Sequence, residues 1–103
     1  MILKRVSAVL RYSARAARFE KVIADICTRK SIDLIYTYWC TQATLAALRI
    51  KEKNPCVKVV SRFHGYDLFN ERTAENYQPF RYTVSRECDW LIFACENGRK
   101  YFF

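Results

Sequence analysis

Glycine and proline are scarce, two of each in 103 residues, and there is a single histidine and a single methionine. So little backbone punctuation excludes a collagen-like, linker-rich or low-complexity chain. No apolar run approaches the ~20 residues that a bilayer-crossing helix needs, because charges interrupt every stretch. Met1-Ile2-Leu3-Lys4-Arg5 lacks the apolar core of a secretory signal, so the chain is expected to be cytoplasmic. The five cysteines, Cys27, Cys40, Cys56, Cys88 and Cys95, are an odd number without CxxC spacing. Reduced thiols are therefore expected rather than a disulfide framework or a zinc knuckle. A lone His64 with no acidic cluster beside it offers no ligand set, so neither a metal nor a cofactor is expected. GxxxxGK[ST], GxGxxG and GxSxG runs are all missing, which removes the usual phosphate loops and the nucleophile elbow.

Acids are also in short supply, ten Asp and Glu against eighteen Lys and Arg, for a net charge of +8. That balance favours anionic partners: nucleic acid, phosphorylated ligands or an acidic membrane surface. What the chain has in quantity is core material, 51% hydrophobic residues and 16% aromatics. This suits one small domain over 1–103, with no room for a second.

Periodicity organises that material. From Leu3 to about Cys27, a spacing of 100° per residue gathers Val6, Val9, Leu10, Ala16, Ala17, Ile23 and Cys27 into one broad sector. Lys4, Arg11, Arg15 and Arg18 fall opposite, predicting an amphipathic helix with a basic stripe. Glu20 and Arg5 intrude on the apolar sector and argue for a partly exposed or broken helix. Asp33 to Tyr38 is β-branched and aromatic and reads as a buried strand. Thr41 then caps a helix to Lys53, stopped by Asn54-Pro55. Val57 to Ser61 is a second strand, completing a βαβ unit. Asn70 to Gln78 reads as a loop or loose turn, Pro79 as the first residue of a short helix through Glu87, and Trp90 to Ala94 as a third strand. Glu96 opens a last helix. The expected fold is α/β, a partial Rossmann-like open parallel sheet of about three strands with flanking helices. Ligands on such sheets sit beyond the carboxyl ends of the strands. The rim residues are then Trp39 and Cys40 after the first strand, Arg62, His64, Gly65 and Asp67 after the second, and Cys95, Glu96, Asn97 and Gly98 after the third. Gly65 and Gly98 would allow a ligand close to the backbone.

Asp33-Leu34-Ile35-Tyr36, the run Val59-Val60-Ser61-Arg62-Phe63-His64-Gly65-Tyr66-Asp67-Leu68, Pro79-Phe80-Arg81, and Cys95-Glu96-Asn97-Gly98 with Tyr101 together resemble the amino-terminal half of bacterial family 4 glycosyltransferases of GT-B fold. The likeness is to those that build colanic acid and other surface polysaccharides, and it covers roughly Ile32 to Tyr101. Ser-Arg-x-His-Gly-x-Asp-Leu is its most specific piece. The resemblance implies an acceptor-side domain, with sugar transfer from a sugar nucleotide in a cleft closed by a second, donor-binding domain that this chain lacks. It implies a catalytic role for His64, substrate-binding roles for Arg62, Gly65, Asp67 and Glu96, and a glycan or lipid-linked acceptor. Cys95 stands where the family carries serine, or that serine has been deleted after Cys95. One wall of a cleft cannot stabilise a diphosphate leaving group, so no activity is expected of the chain alone, and sugar nucleotide is a partner only when a donor domain is supplied. A lipid-linked acceptor would hold the chain at the inner face of the membrane. The alternative is a stand-alone basic module for acidic membrane or nucleic acid. Nucleic acid is disfavoured because Tyr36, Tyr38, Trp39, Trp90 and Phe93 lie in strands expected to be buried.

Overall fold

The computed structural model describes residues 2–73 and 76–103; Ala74 and Glu75, inside the expected Asn70 to Gln78 loop, lie outside the described residues, as does Met1. In chain order the elements are α1 (Ile2–Arg29), β1 (Leu34–Thr37), α2 (Gln42–Lys53), β2 (Lys58–Phe63), a 3-10 turn (Asn70–Arg72), α3 (Arg81–Glu87), β3 (Trp90–Phe93) and α4 (Glu96–Phe102). The strands form one parallel sheet in the order β1-β2-β3. Tyr36 is registered with Val60, and Val60 with Trp90. The fold is thus α/β, and β2 is its central strand, running two residues past the expected end at Ser61.

Helix α2 is the middle layer, which is why it is apolar on two sides. Ala47 and Leu48 pack toward the sheet with Val59, Phe63, Leu68 and Val84. Leu45 and Ala46 pack toward α1, meeting Ala16, Tyr12 and Ile23. Charged residues are confined to its last turns, where Arg49 donates to Ser13 Oγ of α1 at 2.8 Å and Lys53 reaches Glu20 of α1.

Three expectations are corrected by this layering. The strands are covered on one face only: Val59, Ser61 and Phe63 are fully buried, but Leu34, Tyr36, Tyr38, Trp39, Trp90 and Ile92 remain exposed, Trp90 by 66%. Apolar runs had suggested burial on both faces, yet no described element lies on the second face. Burial of these aromatics therefore gives no ground for disfavouring nucleic acid. Second, of the two alternatives for α1 the partly exposed one holds, since it is unbroken over 28 residues with only Ala8 and Ala16 buried, but its packed face is rotated from the expected sector. Ala8 and Ala16 are buried, while Val6, Leu10 and Ala17 point to solvent. Glu20 belongs to the packed face because Lys53 of α2 meets it at 2.8 Å. Third, Pro79 does not begin α3. Phe80 follows it in the left-handed region at φ 63°, turned so that its ring packs 5.5 Å from that of Tyr12 on α1. Tertiary contact with α1 thus delays the helix to Arg81.

Candidate functional site

The rim at the carboxyl end of β2 is held by one buried carboxylate. Asp67 Oδ1 accepts the His64 N–H and Oδ2 accepts the Cys40 N–H, each at 2.7 Å. The same residue therefore closes the turn after β2 and ties it to the loop after β1. Arg81 secures the far side of the turn, donating to the Asp67 and Leu68 carbonyls with its guanidinium 5.0 Å over the Phe63 ring. Beneath the rim, Thr37, Thr44 and Ser61 form a buried hydroxyl triad. Thr37 donates to Ser61 at 2.7 Å, and Thr44 lies 2.7 Å from Thr37 and 3.1 Å from Ser61. These bonds join β1, α2 and β2 directly, satisfying polar groups that would otherwise be costly to bury.

His64 sits on this frame with its ring turned toward β1. It stacks on Trp39 at 3.9 Å between centroids and approaches Tyr38 at 4.8 Å. Its side chain is 17% exposed, yet neither ring nitrogen has a hydrogen-bond partner. Asp67 Oδ2, at 3.9 Å from Nδ1, is too distant to bond. Arg62 stands alongside, its guanidinium 5.4 Å over the Tyr38 ring, and its Nε is likewise buried without a partner. Among the described residues these three are the buried side-chain nitrogens and oxygens without a partner, and all lie at one strand end.

The structure thus brings together Arg62, His64 and Asp67, with Gly65 in the same turn. Gly65 accepts the Leu68 and Phe69 N–H groups and has an ordinary negative φ, so neither strain nor crowding demands glycine there. Gly98 does have a steric reason, and it is internal: a Cβ would fall 2.8 Å from Leu68 Cδ2. Close packing of α4 on the rim turn, rather than approach of a ligand, explains that glycine. Glu96 stands apart. It is exposed and bonds Arg99 through both oxygens, with Arg99 Nε at 3.1 Å from each. That bond holds its carboxyl below the usual carboxylate range. Among the described residues no hydrogen bond or ion pair joins it to His64. Cys95 occupies the N-cap of α4 without a side-chain capping bond.

Burial pushes the thiol of Cys40, at the rim, up to about 11 and that of Cys88, at the amino end of β3, up to about 12, so neither is poised as a nucleophile. Trp39 was expected at the rim from its place after the first strand, and Arg81 entered only through the resemblance; Tyr38 and the hydroxyl triad are site residues that sequence reasoning passed over. An aromatic pair one strand over from a rim histidine was the available signal. No group of three or more His, Cys, Asp or Glu that could hold a metal occurs among the described residues. No described helix is long and apolar enough to cross a membrane. No protein-family model, curated protein or solved structure matches the chain.

Proposed function

We propose that the chain is the acceptor-side part of a family 4 glycosyltransferase of GT-B fold, moving a sugar from a sugar nucleotide to a glycan or lipid-linked acceptor once a donor-binding domain is supplied. The observation that carries this reading is His64 on the central strand's rim. Its backbone is pinned by Asp67, and its two ring nitrogens lack partners in the fold. A group held rigidly with unspent hydrogen-bonding capacity is suited to act on a substrate, because the fold has already borne its desolvation. His64 is the residue that would meet the transferred sugar. Arg62 supplies positive charge beside it, and Asp67 positions the turn that carries Gly65; Glu96, paired with Arg99 at the start of α4, would meet an acceptor only at the margin of this rim. A lipid-linked acceptor places the chain at the inner membrane face as a peripheral protein, a placement that the net charge of +8 supports.

The test is His64→Phe in a chain joined to a donor domain. Phenylalanine keeps the stack on Trp39 and removes the orphaned nitrogens, so folding stability should hold or rise. Transfer should fall by ~100-fold or more, the usual worth of a positioned acid–base group. Unchanged transfer, or turnover by the isolated chain, would overturn the reading.

A further inference from the structure

Helix α1 has three faces rather than two. One packs on α2 through Ala8, Tyr12, Ala16 and Ile23. A second is an apolar ridge left in solvent: Leu3, Val6, Leu10 and Ala17 share one ~60° sector, with Leu3 exposed by 84% and Leu10 by 65%. The third is the basic stripe, Arg18, Arg11, Lys4 and Arg15, in another ~60° sector next to the ridge. All four are exposed. The helix itself carries no Asp or Glu between Ile2 and Phe19. The helix spans about 42 Å, and its first buried residue is Ala8; in the opening turns Arg5 lies 5.3 Å over the Tyr77 ring, while Ile2 and Leu3 stay exposed.

We infer that α1 is a docking helix for an anionic lipid surface, with Leu3, Val6 and Leu10 entering the acyl boundary and Lys4, Arg11, Arg15 and Arg18 lying on the headgroup phosphates. An apolar ridge flanked by cations is the form of a helix lying in the membrane plane. Charge complementarity selects acidic lipid. A nucleic acid would use the cations but not the ridge. The inference deepens the peripheral placement proposed above and is independent of the transfer chemistry.

Co-sedimentation of the 103-residue chain with phosphatidylcholine vesicles, with and without ~30% phosphatidylglycerol, tests it. Binding should be at least ~10-fold stronger to the acidic vesicles and weaken with salt. Val6→Gln with Leu10→Gln, both at exposed positions, should lower it ~10-fold at any salt concentration. Arg15→Gln with Arg18→Gln should abolish most of the lipid preference while leaving circular dichroism unchanged. Equal binding to both vesicles, or full binding by the Val6→Gln, Leu10→Gln variant, would overturn the proposal. So would a single-stranded oligonucleotide that strips the chain from vesicles and binds that variant undiminished. Absence of transfer by the joined enzyme with His64 intact, lipid binding being retained, would instead count against the function proposed above.

Discussion

Asp67→Asn probes the frame of the rim most directly. The carboxylate is fully buried and accepts two backbone N–H groups at 2.7 Å. An amide offers one acceptor oxygen and turns an NH2 group toward the other backbone donor. One charge-assisted bond, worth about 1.5–3 kcal/mol, is lost and one buried N–H is orphaned at a further ~1–3 kcal/mol. The cheaper burial of a neutral group offsets part of this, leaving a net loss of about 2–3 kcal/mol. For a chain of this size each kcal/mol lowers Tm by ~4–8 °C, so the melting point should drop by ~10–20 °C. Native-state hydrogen exchange should report the same event locally, with the Cys40 and His64 amides protected in the parent and one of them fast in the variant. A fall in Tm below ~3 °C with both amides still protected would refute the claim that Asp67 clamps the two loops.

Cys95→Ser should stabilise α4 by about 0.5–1 kcal/mol, because a hydroxyl can cap the helix where the thiol makes no bond; urea denaturation would read the gain. Alkylation at pH ~8 should modify exposed Cys56 and Cys95 well before Cys40 and Cys88, whose thiols burial pushes up to about 11 and about 12; mass spectrometry in buffer and in urea would show whether the difference vanishes on unfolding. Because the folded values of those two thiols exceed the unfolded ones, stability should be complete below pH ~8.5 and decline above it as the unfolded thiols ionise first. Asp89 is held below its ordinary value by the Val59 N–H and then by Lys51, so its contribution is present above pH ~4 and lost as pH falls through the folded value. Urea midpoints of the parent and Asp89→Asn should differ at pH ~6 and converge in acid.

The sequence by itself determined the order of elements and the parallel sheet. Each element carries its own local pattern: a β-branched and aromatic run from Asp33, a helix ended by Asn54-Pro55, a second β run from Val57. Two parallel strands joined by one helix leave little choice of topology. It also put Arg62, His64 and Asp67 at one strand end, since a strand's termini follow from its extent. Only the tertiary structure decided which faces are covered. The apolar residues of α1 span more of its circumference than α2 can cover, so packing chose Ala8, Tyr12 and Ala16 and left Leu3, Val6 and Leu10 outside. The strands' apolar runs suit two covered faces, and a single helical layer covers one. The stack of His64 on Trp39 joins two loops, and the fixing of both by Asp67 depends on a carboxylate reaching a backbone 27 positions away. Such contacts leave no periodic trace in sequence, because they are set by distance in space and not by spacing along the chain.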